Sequence, residues 1–134
     1  MIHADTSFLV DLLREAAHGI RGPATVLLGE IEREEIRVGV HVMCELLGGA
    51  EGSQRPTVER QRVRRLCNSL VVSYPDERFA PVYARLLASL RGGGRSIATM
   101  DLLIATAAIV DNAAIVTRNT KHFSRIPGLE IRGY

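Results

Sequence analysis

The chain has 134 residues, of which 46% are hydrophobic and 24% charged, with a formal net charge of +2. That balance belongs to a globular chain with one core, and it excludes a disordered solvating tail or a collagen-like fibre. The longest apolar run, Leu102 to Val110, is broken by Thr106, and no basic segment precedes an apolar core at the start; the expectation is one domain over residues 1–134, away from membranes and in the cytoplasm.

In chain order, Met1 to Ala4 predicts a strand and Asp5 a turn, with a helix carrying Phe8, Leu9, Leu12 and Leu13 behind Thr6 or Ser7 as N-cap. Gly22-Pro23 opens a second helix whose face is Ala24, Leu27, Leu28 and Ile31. Ile36, Val38 and Val40 alternate as a strand does. Val42 to Leu47 follows as a helix with Glu45 in its early turns, ended by Gly48-Gly49. The polar stretch Ala50 to Pro56 is a loop. Behind it comes a basic helix with Val58, Leu66 and Cys67 among its apolar positions, then a strand at Leu70 to Val72.

Asp76 caps a helix marked by Phe79, Val82, Tyr83, Leu86, Leu87 and Leu90, which breaks at Gly92-Gly93-Gly94. A helix from near Thr99 to Val110 is apolar nearly all round and carries Asp101 in its first turn. Ala114 to Val116 is a strand, Thr117 to His122 a turn and short helix, and Leu129 to Arg132 a last strand. This alternation predicts an α/β fold: a three-layer α/β/α sandwich with a largely parallel sheet and helices on both faces.

Four polar positions draw attention by where they fall. Asp5 follows the first strand and Glu45 opens the helix after the second; Asp101 opens the apolar helix and Asn119 follows the Ala114 to Val116 strand. In an open parallel sheet, ligands bind beyond the carboxyl ends of the strands, where helix N-termini also gather. Singly, Asp5 reads as a helix cap, Glu45 as a solvated residue and Asn119 as a turn residue. Asp101 is harder to dismiss, because Met100, Leu102, Leu103 and Ile104 leave it as the one charge in a segment that must be buried.

Three carboxylates brought together repel, and a divalent cation resolves the conflict. An all-oxygen donor set selects Mg²⁺ or Mn²⁺ over zinc, and His3, His18, His41 and His122 show no zinc spacing. Such an ion, completed by substrate oxygens, points to phosphodiester or phosphoryl chemistry.

The segments Ile2-His3-Ala4-Asp5-Thr6-Ser7, Val42-Met43-Cys44-Glu45-Leu46-Leu47-Gly48 and Asp101-Leu102-Leu103-Ile104-Ala105 resemble the three acidic motifs of PIN-domain nucleases. Val116-Thr117-Arg118-Asn119-Thr120-Lys121-His122-Phe123 resembles the fourth, in the form frequent among VapC-type toxins of toxin–antitoxin pairs. The resemblance covers nearly the whole chain. It implies a PIN-like fold and a Mg²⁺- or Mn²⁺-dependent endoribonuclease, with Asp5, Glu45 and Asp101 as metal-binding carboxylates and Asn119 completing the catalytic set. Thr117 is then a polar support and Ser7 orients Asp5. The implied chemistry is hydrolysis by a water activated by the ion, leaving a 5′-phosphate and a 3′-hydroxyl.

Asn119 stands where many PIN nucleases have aspartate; it adds no charge, so one firmly held ion is expected, with a second arriving with substrate. The implied partners are an RNA substrate, a second copy of the chain in a homodimer, and a small antitoxin. Apolar residues at Phe8 to Leu13 and Ala24 to Ile31 offer the antitoxin a groove, or else the core its contents.

Arg55, Arg60, Arg62, Arg64 and Arg65 cluster on the basic helix, and Arg60 and Arg64 share a face. That face is either an RNA phosphate contact or a solvated surface. Cys44 and Cys67 lack metal or redox spacing, and Cys44, among Val42, Met43, Leu46 and Leu47, reads as a buried thiol. Two other functions fit the acids less well. One is a Mg²⁺-dependent phosphatase or phosphotransferase with Asp5 as nucleophile, a pattern that wants a second aspartate where Ser7 stands. The other is a PIN-like binding module without catalysis.

Overall fold

The computed structural model describes residues 1–134. Five strands form one parallel sheet: β1 (Ile2–Ala4), β2 (Ile36–Gly39), β3 (Val71–Ser73), β4 (Ala114–Val116) and β5 (Ile131–Arg132). Their order across the sheet is β3-β2-β1-β4-β5. The helices are α1 (Thr6–Ala17), α2 (Pro23–Ile31), α3 (Val40–Glu51), α4 (Pro56–Cys67), α5 (Phe79–Gly92), α6 (Thr99–Val110) and α7 (Thr120–Phe123). The fold is the α/β sandwich that the alternation predicts, and its sheet is parallel throughout.

β1 is the central strand: Ile2, His3 and Ala4 are all buried, the His3 ring pairing with Asp111 at 2.6 Å, and the strand is in register with Ile36 and Arg37 on one side and Ala114, Ile115 and Val116 on the other. The order reverses at β1, since the chain goes outward through β2 and β3 and then returns to β4. That switch point opens a crevice at the carboxyl ends of β1 and β4, where parallel sheets bind ligands. Phe8, Leu9, Val38, Val42, Leu90, Leu102, Ile115 and Phe123 fill the core, each almost wholly out of water. Helix α6 is buried along Leu102, Ile104, Ala105, Thr106 and Ala108, and the Thr106 hydroxyl donates to the Leu102 carbonyl at 2.7 Å.

Several elements depart from the sequence reading. Helix α3 runs through Gly48-Gly49 to Glu51, because neither glycine needs a left-handed backbone and the core contact of Ala50 holds the last turn. Strand β5 is only Ile131–Arg132, and α5 begins at Phe79. Asp76 accepts instead from the Arg78 amide at 2.9 Å in the preceding turn. On α4 the buried residues are Val63 and Cys67, while Val58 is exposed. Cys44 is exposed as well: α3 turns Val42, Leu46 and Ala50 to the core, which sends residue 44 to the opposite side. No helix is long and apolar enough to cross a membrane.

Candidate active site

Asp5 occupies the N-cap position of α1 with extended backbone, φ −77° and ψ 159°, but its side chain caps nothing, and neither Thr6 nor Ser7 takes that position. The carboxylate is engaged elsewhere. Its Oδ2 accepts from Ser7 Oγ at 2.8 Å and from Thr117 Oγ1 at 2.7 Å. The two hydroxyls stand 3.2 Å apart, and each uses its one proton on Asp5 while accepting from a backbone amide. Arg118 N donates to Ser7 at 3.1 Å and Asn119 N donates to Thr117 at 2.9 Å. Both side-chain donors of Asp5 go to the same oxygen, so Oδ1 has none.

The residue after Asp5 brings in the second acid. Thr6 Oγ1 donates to Glu45 Oε1 at 2.6 Å, from α1 to the second turn of α3. Glu45 is exposed, and its Oε2 also lacks a donor.

Asp101 is the third residue of α6, half-buried rather than enclosed, with 28% of its side chain exposed. Burial, and then the charges of Asp5 and Glu45, push its carboxyl above the ordinary carboxylate range. The only opposing group is His122, whose Nδ1 lies 3.9 Å away. Three acids, from the N-cap of α1, from α3 and from α6, thus share one electrostatic neighbourhood. Asn119 lies exposed at the start of α7, joined to it through the Thr117 hydroxyl.

As these side chains stand, no three carboxylate, imidazole or thiol groups are close enough together to share one ion. The donor chemistry nonetheless suits a hard divalent cation. It is all oxygen, it carries uncompensated negative charge, and Asp5 and Glu45 are each held by one oxygen with the other left open.

Of the remaining sequence candidates, Arg60 is tied to Glu51 at 2.7 Å, whereas Arg64 is exposed beside it. The apolar groove matches the expected one only in part: Val10 and Leu13 of the first segment line it, and nothing from Ala24 to Ile31 does. Phe8, Leu9, Leu12, Ala24 and Ile31 are core residues, because both predicted helices turn these positions to the sheet. The groove lies instead between α1, α3 and α4. It has a volume of about 320 Å³, is lined by Val10, Leu13, Leu46, Gly49 and Val63, and has Glu45 at its edge.

The sequence reading missed Thr6, Asp11, Arg118 and Tyr134. Asp11 is buried to 3% exposure, and accepts from Arg118 Nη1 at 2.7 and 2.9 Å, from the Tyr134 hydroxyl at 2.6 Å, and from Arg14. A signal for it exists: Phe8, Asp11, Leu12 and Glu15 fall at the spacing of one helical stripe, so two of its acids must be buried.

Residues 2–129 match the family model described as PIN domain. The chain is similar to ribonuclease VapC19 of Mycobacterium tuberculosis, 35% identical over 129 residues that cover 94% of each chain. It is also similar to ribonuclease VapC1 of Haemophilus influenzae, 29% identical over 126 residues, 94% of this chain and 92% of the relative. Among solved structures, VapBC2 from Rickettsia felis, bound to a DNA fragment from its promoter, superposes with a TM-score of 0.91 at 26% identity, covering 100% of this chain and 99% of the other. VapBC-1 from nontypeable Haemophilus influenzae superposes with a TM-score of 0.85 at 27% identity, covering 99% and 98%.

Proposed function

The chain belongs to the PIN-domain family, and from that premise we propose that it is the ribonuclease toxin of a toxin–antitoxin pair, cutting RNA with Mg²⁺ or Mn²⁺ held by Asp5, Glu45 and Asp101. One observation carries the catalytic reading: hydroxyls hold Asp5 and Glu45 by one oxygen each and leave the other open, while burial and then the charges of these two acids raise the Asp101 carboxyl, although the three are spread over most of the sequence. Structural duty alone gives no reason to gather like charges, since each acid by itself would be better placed beside an arginine. VapC relatives that are ribonucleases, and VapBC structures on the same fold, support the same reading.

When bound, such a cation supplies an activated water and neutralises charge developing on the phosphoryl oxygens. The chain's own residues do the positioning. Ser7 and Thr117 fix one oxygen of Asp5 and so aim the other; Thr6 does the same for Glu45. Asp101 lies in the first turn of α6, where the helix's positive end helps hold its charge. Asn119 offers a neutral amide beside them, able to ligate or to hydrogen-bond a substrate oxygen without adding repulsion.

The antitoxin is the protein partner in this reading, and the groove between α1, α3 and α4 suits an apolar segment that ends beside Glu45. A homodimer belongs to it too, and exposed Val71 and Tyr74, in and just beyond edge strand β3, offer apolar surface for a second copy. The test is cleavage of RNA by the purified chain with and without Mg²⁺. Cleavage is expected with the ion, absent in chelator, and lost in Asp5→Asn and Asp101→Asn. Undiminished cleavage in both variants would overturn the site.

A further inference from the structure

The acid site leaves one charged cluster beside it without a role. Asp11 is 3% exposed, yet it gathers two guanidiniums, Arg118 and Arg14, besides the Tyr134 hydroxyl. One arginine would neutralise a buried carboxylate; two leave net positive charge at the surface. We propose that Arg118 is a substrate-binding residue: anchored on Asp11, its guanidinium contacts an RNA backbone phosphate next to the one placed at Asp5, Glu45 and Asp101. Asp11 is its positioning residue. The proposal rests on the ribonuclease reading.

Three features of the geometry carry it. Arg118 uses only Nη1 on Asp11, while Nε and Nη2 have no partner in the chain and 49% of the side chain is in solvent. A fork held at one tip with its other donors outward is what bidentate phosphate contact needs, and holding it reduces the entropy lost on binding. The backbone of Arg118 is also pinned to the acid site, since its amide donates to Ser7 Oγ, which donates to Asp5. Ser7 and Asp11 are four residues apart on α1, so the guanidinium is carried about one helical turn, ~5.4 Å, along the helix from the acids. Finally, the cation stands beside the acids rather than among them: Asp5 is held by hydroxyls and Glu45 by a hydroxyl, with no arginine on either. An arginine paired to Asp5 would compete with a metal ion. One anchored on Asp11 offsets the repulsion that three carboxylates exert on a polyanion.

The test compares the full chain with Arg118→Met, Arg118→Lys and Asp11→Asn, using a fluorescent single-stranded RNA, with cleavage read in Mg²⁺ and binding read in an Asp5→Asn background over a range of salt. Arg118→Met is expected to raise KM about tenfold or more with a smaller change in kcat, and to flatten the slope of log binding constant against log salt by about 0.7, one phosphate contact. Arg118→Lys keeps the charge and loses the fork, so it recovers part of the affinity. Asp11→Asn is expected to raise KM although it removes a negative charge, because the arginine loses its anchor. An unchanged KM and salt slope in Arg118→Met overturns the proposal, as does a loss accounted for entirely by the unfolded fraction of the variant. If Arg118→Met does not fold, Arg118→Lys decides: a wild-type KM there overturns the assignment. A wild-type chain that neither binds nor cuts RNA removes the ribonuclease reading and this inference together, whereas a cleaving wild type with an unmoved KM in the variants removes this inference alone.

Discussion

Thr117 Oγ1 donates a 2.7 Å hydrogen bond to Asp5 Oδ2 across a sequence separation of 112 residues. It joins the carboxyl ends of β1 and β4, the two strands flanking the switch point, and both residues are buried. The same hydroxyl accepts from the Asn119 amide, so one atom sets the aim of an acid and the start of α7.

Thr117→Val keeps the shape and deletes the hydroxyl. It leaves the Asn119 amide without its acceptor and Asp5 with one donor fewer, at a cost of about 1–3 kcal/mol for the disrupted buried hydrogen bonds. Cleavage is expected to fall on the order of 10²-fold through misplacement of Asp5, with Thr117→Ser restoring most of it. Denaturant unfolding and initial cleavage rates check the two halves separately. A Thr117→Val protein as active as the wild type would show that Ser7 alone orients Asp5.

Much of this arrangement was legible before any coordinates. Strand and helix alternation gives the parallel sheet, and the parallel sheet dictates that residues following β1 and β4 meet helix N-termini at one edge. Asp5, Glu45, Asp101 and Asn119 follow from that rule, whereas Ser7 and Thr117 entered only through the resemblance to PIN-domain motifs. What was not legible depends on rotation about helix axes. Cys44 lies between apolar neighbours in sequence but on the outward side of α3, and Gly48-Gly49 looks like a stop although Ala50 packs into the core beyond it. The groove belongs to α1, α3 and α4 because residues distant in sequence line it, and no pattern within one helix shows which neighbour it faces. The Asp11 cluster needs Arg118 and Tyr134, more than 100 positions away.

Asp101 is expected to trade stability for function. Its carboxyl is raised in the folded chain by burial and by Asp5 and Glu45. A group with a raised folded pKa favours folding when protonated, and that contribution is lost as pH rises through its folded pKa. At neutral pH the ionised side chain therefore opposes folding when no cation is bound. Asp101→Asn should raise the Tm of the metal-free protein and abolish cleavage, and added Mg²⁺ should stabilise the wild type more than the variant. Calorimetric scans in chelator and in Mg²⁺ read all three; a lower Tm for the variant in chelator would contradict the repulsion.

Glu15 shows the opposite sign. It is buried on the inner stripe of α1; burial works to raise its carboxyl, but the Thr25 amide and hydroxyl, with the Ala24 and Gly22 amides, outweigh this and hold it below its ordinary 4.5. The carboxylate thereby satisfies the N-terminus of α2, where Pro23 removes one donor and Gly22 lets the oxygens approach. A depressed carboxylate contributes stability above its unfolded pKa, which is lost as pH falls through the folded value. Glu15→Gln should therefore be less stable at neutral pH and should flatten the loss of stability below about pH 4.5, the ordinary value. Gly22→Ala should resemble it, since a Cβ there would stand 2.5 Å from the Glu15 carboxyl carbon and push the group off its donors. Urea midpoints measured across the acid range check both.

Gly49 separates partner binding from catalysis. It lies within α3 at ordinary helical backbone, one turn beyond Glu45, and a Cβ added there meets nothing within 4 Å. It also lines the groove of about 320 Å³ between α1, α3 and α4. Gly49→Leu should thus do two things at once. Replacing a mid-helix glycine by a good helix former stabilises the fold by roughly 0.5–1 kcal/mol, and the new side chain fills the groove that an apolar antitoxin segment would occupy. RNA cleavage should persist, because no acid or hydroxyl of the site is moved, while binding of the proposed antitoxin should weaken at least tenfold. Calorimetric titration with that protein reads the affinity and a parallel cleavage assay reads the site. Undiminished binding in Gly49→Leu would place the antitoxin on another face, and lost cleavage would show that α3 transmits the groove's filling to Glu45.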